Sequence, residues 1–260
     1  MSCALAAVSC TAFEPPPLAP PGTSVGGTSA GWLVDGIQLP ARAEGLQAYR
    51  DADTRYGTGR LLDVVVETAA FLSGRFGDAV LWVGDASPRS GGKISGHHSH
   101  RSGRDVDLLF FARPADGSVG RRARFYKFGA DGLAVGVSPP VSLDLERNWA
   151  LVQHLLEAYP RDIQWIFVST GVKTALLVYA LAAGAPLDVV ERALSVLHQP
   201  SDSTPHDDHF HVRLYCATED LASGCADVPP IWPWVRRTYD RASHAVVDDA
   251  TLLDLALGEL

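Results

Sequence analysis

Six of the nine histidines fall in two tight groups, His97, His98 and His100 and then His206, His209 and His211. Imidazole changes charge near neutral pH and is the commonest metal ligand. Two such groups point to a metal centre or to proton transfer, and each adjoins a stretch that reads as a strand. Side chains alternate across a strand, so residues 209–215 place His209, His211 and Arg213 on one face and Phe210, Val212 and Leu214 on the other. In residues 105–111, Asp105 and Asp107 share a face. Two carboxylates that close repel each other, and a dication or a hydrogen-bonding partner relieves the repulsion. One can ligate while the other orients a neighbouring group. Side by side, the two strands would bring the clusters together.

Three ligands of His, Asp and His type plus one water are what a catalytic zinc site requires. Nitrogen and carboxylate donors suit zinc better than magnesium or calcium, which favour oxygen shells. Zinc brings the pKa of its water to about 7, which makes a nucleophile near neutral pH. His209, beside a ligand on the same face, is placed to handle protons. Other groups read as ordinary. Asp85 and Asp105 are structural rather than catalytic, and His154, His198 and His244 are helix or loop residues. Trp149, Trp165, Trp232 and Trp234 pack rather than form a ligand platform. Arg213 has two readings, a partner for a substrate carboxylate or a salt bridge to Asp105 or Asp208.

The elements that must position these residues follow from hydrophobic periodicity. Helices are expected over 61–76, 143–159, 172–183 and 186–197, and from about Asp248. Strands are expected over 79–83, 105–111, 163–168 and 209–215. Near the start, Trp32-Leu33-Val34 and Ile37-Gln38-Leu39 bracket Asp35-Gly36, a tight-turn dipeptide. Residues 84–104 and 198–208 read as loops and 117–140 as an irregular excursion. The mixed order predicts an α+β fold, one domain whose central antiparallel sheet carries the zinc site between flanking helices. Residues 1–28 read as a signal remnant and Pro/Gly-rich linker, and 29–260 as the domain that carries the metal site.

The 260 residues carry a formal charge of −8 with no basic stripe, which argues against a nucleic-acid partner. No apolar stretch reaches the roughly 18–20 residues of a membrane helix. Cys216 and Cys225 are too few for a zinc site. A short-loop disulfide suits them, which implies an oxidising compartment; two buried thiols are the alternative. The start, Met1 to Cys10, is apolar without a positive region. It reads either as the remainder of a secretory signal, with Cys10 as a lipid-anchor position, or as a tail.

The segment Gly96-His97-His98-Ser99-His100-Arg101-Ser102-Gly103-Arg104-Asp105-Val106-Asp107 resembles the first metal motif of the penicillin-insensitive murein endopeptidases. His206-Asp207-Asp208-His209-Phe210-His211-Val212-Arg213-Leu214 resembles their second. The pattern of His, Asp seven residues on and a distant His-x-His is shared with the wider group of D-Ala-D-Ala metallopeptidases and lysostaphin-type enzymes. Weaker similarity runs from about Gly31 to Cys225. The resemblance implies one zinc ion on His100, Asp107 and His211, with His209 catalytic and His206 and His97 as further active-site histidines. It also implies a Cys216–Cys225 disulfide. The implied activity is hydrolysis of cross-link peptides in peptidoglycan, at the bond between D-alanine and diaminopimelate, in the periplasm or outside the cell; the reading of Cys10 as a lipid-anchor position adds an outer-membrane lipoprotein as one form. A D,D-carboxypeptidase and a non-catalytic zinc-stabilised wall-binding module are the rival expectations. The extra imidazole of His98 departs from the family pattern and is an alternative ligand.

Overall fold

A computed structural model describes residues 19–50, 52–115 and 124–235. Cys3, Cys10, His244 and the helix expected from Asp248 lie outside them. Seven strands form the central sheet: β1 (Arg42–Ala43), β2 (Leu46–Ala48), β3 (Leu81–Val83), β4 (Asp105–Leu109), β5 (Ile163–Phe167), β6 (Leu197–His198) and β7 (His209–Leu214). Their order across the sheet is β6-β5-β7-β4-β3-β2-β1. The centre is antiparallel, as expected, but β5 with β6 and β2 with β3 run parallel. The sheet is therefore mixed. The parallel pairs arise because a helix-bearing crossover separates each pair in sequence, and such a crossover returns the chain in the same direction.

Four helices supply the apolar cover: α1 (Gly59–Phe76), α2 (Leu145–Ala158), α3 (Thr170–Ala182) and α4 (Leu187–Val196). Side-chain caps start three of them. Thr58 accepts from the Leu61 N–H, Asp144 from Arg147 and Ser169 from Val172. Such oxygens satisfy amides that have no partner in the first turn. Leu61, Val64, Val65, Ala69 and Leu72 recur on one side of α1 and are buried. They share one core with Leu151, Val152 and Leu155 of α2 and with Val106, Leu108, Phe210, Val212 and Leu214 from the sheet. One face of β4 and β7 is thus sealed against helices, and the other is left for polar side chains.

Two expectations near the start of the chain fail. Trp32–Val34 and Ile37–Gln38 do not pair with each other across Asp35-Gly36. The first pairs with Thr23–Val25 and the second with Tyr56–Gly57. Turn chemistry permitted a hairpin, but each short strand found a more distant partner. Thr23–Val25 also falls inside the stretch read as linker. It is held there by Arg104, whose side chain is buried among polar groups from three segments. Arg104 donates to Ser24 Oγ, to the Leu214 carbonyl, to Asp227 Oδ1 at 2.8 Å and to the Ala226 carbonyl. Cys216 and Cys225 are bonded to each other, which closes the loop that presents Asp227 and Ala226.

Candidate active site and metal centre

The register of the two central strands assembles the site. β4 and β7 are antiparallel with His211 opposite Asp107 and Arg213 opposite Asp105. Directly opposed residues share a face. On the next strand Phe167 lies opposite His211 and Trp165 opposite Arg213. The face not covered by helices therefore carries His209, His211, Arg213, Asp105, Asp107, Trp165 and Phe167.

His100 reaches this face from the loop before β4. Its φ of 64° is in the left-handed region, which a non-glycine residue occupies at a cost. Three contacts hold it there. Its N–H donates to Asp105 Oδ2 at 3.1 Å, its Nδ1 lies 2.7 Å from the Ala86 carbonyl, and its own carbonyl accepts from Ser87 Oγ. With Nδ1 so engaged, Nε2 points at the strands.

Three donor atoms then converge. His100 Nε2 lies 3.3 Å from His211 Nδ1 and 3.3 Å from Asp107 Oδ1, and His211 Nδ1 lies 3.5 Å from Asp107 Oδ1. Asp107 Oδ1 is buried and, among the described residues, makes no hydrogen bond of good geometry despite these neighbours. Lone pairs that face a common point rather than each other are what a cation would satisfy. A tetrahedral ion with bonds of about 2.0–2.1 Å has ligand atoms about 3.3–3.4 Å apart. The residues present fit zinc by donor type and by spacing. His97, His100 and Asp107 also offer ligand atoms within 4.8 Å of one another, so a second ligand set overlaps the first.

Each donor has its own support. His211 Nε2 lies 3.0 Å from Asp105 Oδ1, and Arg213 Nε donates to the same oxygen at 2.7 Å. His209 Nε2 lies 3.4 Å from Asp107 Oδ1, and its Nδ1 is 2.5 Å from Asp208 Oδ1. His97 Nε2 is 3.4 Å from Asp85 Oδ2, while its Nδ1 is 3.9 Å from Asp107 Oδ2. Asp85 also accepts from Thr54 Oγ1 at 2.6 Å and from Arg50 at 3.2 Å. The His206 ring lies 5.2 Å from that of His209 and 5.5 Å from that of His211, and its Nδ1 is buried without a partner among the described residues. His98 is exposed and does not join the converging atoms. A cavity of about 220 Å³ opens beside the cluster, lined by Gly96–Ser99, by Asp202–Thr204 and His206, and by Phe167, His211 and Arg213.

Electrostatics within the protein separate the imidazoles. Burial disfavours a charge on His209, but the Asp107 and Asp208 carboxylates outweigh it and push its pKa up to about 10. Burial, and then the charge of His100, bring His211 down to about 3. Burial and His209 bring His206 down to about 4. For Asp107, burial is overcome by His100 and His209, which hold it well below the usual carboxylate range. The face thus offers an ionised carboxylate and a neutral imidazole as ligands, with an imidazolium beside them.

The sequence reading did not foresee the Asp85–His97 contact, the part played by Arg50 and Thr54, or the contact of Phe125 with His209, whose rings are 5.7 Å apart. All of these depend on chain packing alone.

The sequence profile of the family described as penicillin-insensitive murein endopeptidase matches residues 24–233. A penicillin-insensitive murein endopeptidase of Citrobacter koseri is 27% identical over 214 residues, covering 80% of this chain and 71% of the relative. One from Escherichia coli (strain K12 / DH10B) is 27% identical over 211 residues, with the same coverage of both chains. With the profile spanning nearly the whole described fold, the chain belongs to the penicillin-insensitive murein endopeptidase family.

Proposed function

We propose that the protein is a zinc-dependent endopeptidase of peptidoglycan, with His100, Asp107 and His211 holding one zinc ion and His209, His206 and His97 serving the reaction. Family membership supports the coarser part, a hydrolase of the peptidase class directed at murein in the periplasm or outside the cell. The disulfide fits such a compartment. No helix among the described residues is long and apolar enough to cross a membrane. The finer part rests on one observation, the triangle of donor atoms with edges of 3.3–3.5 Å around the unpaired Asp107 Oδ1. His211 is preferred to His97 as third ligand because its nitrogen lies at tetrahedral spacing from both other donors. His97 stands farther from Asp107 and is tied to Asp85 by its other nitrogen.

When bound, zinc would polarise the scissile carbonyl and supply an acidified water. His209 Nε2, 3.4 Å from Asp107 Oδ1, stands where negative charge develops on the carbonyl oxygen. Water oxygen adds to the carbonyl carbon, the carbon–nitrogen bond breaks, and the leaving amine takes a proton from His209. The attacking water gives its proton up to solvent through the cavity that His206 borders. No serine or cysteine nucleophile takes part, so a β-lactam has nothing to acylate. The bond we assign is the amide between D-alanine and diaminopimelate in the cross-link. The test is incubation of zinc-loaded protein with purified sacculi and mass spectrometry of the released peptides. Cross-linked fragments should convert to monomers, and a chelator should stop the conversion. Sacculi that keep their cross-links in the presence of zinc would overturn the reading.

A further inference from the structure

Arg213 sits two residues beyond His211 on the same face of β7. Its Nε donates to Asp105 Oδ1 at 2.7 Å, and its guanidinium carbon lies 5.0 Å from the centre of the Phe167 ring. The ion pair fixes one edge of the guanidinium and the aromatic ring fixes its plane. Its terminal nitrogens make no hydrogen bond among the described residues. The side chain is 18% exposed and borders the 220 Å³ cavity together with His97, His206 and His211. A planar guanidinium with two free nitrogens on one edge is shaped for a bidentate carboxylate.

The position relative to the donor cluster suggests which carboxylate. Residues two apart on a strand are about 6.6–6.8 Å apart. In a peptide, the carboxyl carbon of the residue that supplies the amide nitrogen lies about 3–4 Å from the amide carbonyl carbon. A paired guanidinium adds about 4 Å. A carbonyl beside His211 therefore puts a carboxylate on the leaving residue within reach of Arg213. We infer that Arg213 forms a subsite for a free carboxylate on the residue that supplies the leaving nitrogen, an inference that rests on the peptidase reading above. Both a cross-linking diamino acid joined through the nitrogen beside its carboxylate and a terminal D-alanine have this chemistry.

Two synthetic cross-linked peptides that differ only in a carboxylate or a carboxamide on the leaving residue test it, with a peptide ending in D-Ala-D-Ala as a third arm to separate the two sources. The native protein should prefer the free acid by about 10–100-fold in kcat/KM, the scale of a charge-assisted pair. In Arg213→Gln the preference should fall to near parity, and Arg213→Lys should restore part of it. If Arg213 merely braced Asp105, both substrates would slow together and their ratio would stay. Binding of the amine-side product, as acid and as amide, to metal-free protein gives a readout independent of turnover. A binding preference for the acid without any cleavage would support the subsite and sink the peptidase reading. Equal handling of acid and amide by the native protein, or a preference that survives in Arg213→Gln, would overturn the subsite.

Discussion

At the scale of single residues, each proposed ligand is held by a neighbouring brace. Asp105 is buried, and it bonds His211 Nε2, the His100 amide and Arg213 at once. Burial alone would raise its pKa, but Arg213 and His211 bring it far below the usual carboxylate range. Asp105→Asn should leave the fold intact and weaken zinc affinity by about 10–100-fold, the usual cost of losing such a brace. Titration against a competing chelator measures it, and unchanged affinity would show that Asp105 does not orient the ligand. The overlapping ligand sets are separable in the same assay. His211→Ala should abolish zinc binding, whereas His97→Ala should keep the metal and lower turnover. The reverse pattern would exchange the two residues in the proposal.

At the scale of elements, β4 and β7 carry the histidine and aspartate cluster and α1 and α2 anchor the sheet beneath them. His154 on α2 stacks on Phe71 of α1, with ring centres 4.0 Å apart, and its Nε2 has no hydrogen-bond partner among the described residues. Burial lowers its pKa from the ordinary value of 6.5. A depressed folded-state pKa means that the unfolded chain takes up a proton first as pH falls. The stabilisation is therefore complete above pH 6.5 and declines as pH drops through the folded value. His154→Gln should flatten the fall in stability between pH 7.5 and pH 5, as read from urea midpoints. An unchanged slope would assign the acid sensitivity to other groups. The strands and helices themselves were largely legible. Alternation in 209–215 and helical spacing in 61–76 are local patterns, and the structure has β7 and α1 there. Thr23–Val25 was not legible, because a three-residue strand among prolines and glycines owes its form to Arg104 and to pairing with Trp32–Val34.

At the scale of the molecule, the loop after β7 fastens the start of the fold to the end of that strand. The Gly26 and Ala226 backbones pair, Asp220 accepts from the Ser24 N–H, and Arg104 spans both segments. The disulfide closes this loop across a separation of nine residues. Replacing both cysteines by serine should cost roughly 2–3 kcal/mol on a chain-entropy basis. That corresponds to a fall in Tm of about 5–10 °C for a domain of this size. Calorimetry of the double variant checks this, and an unchanged Tm would mean that the Arg104 contacts hold the loop unaided.

The sequence by itself determined which side chains share a strand face, where the helices run, and that two histidine clusters and a pair of aspartates are available. These follow from the period of side-chain direction, which each segment carries within itself. Only the tertiary structure decided that His211 lies opposite Asp107, that His100 enters in a left-handed conformation with Nε2 turned inward, and that Asp85 takes hold of His97. It also decided that the sheet is mixed and that Arg213 keeps a free edge after meeting Asp105. Strand register and partner choice are settled by how the apolar faces fit together across the whole core, and a local pattern contains no record of that fit.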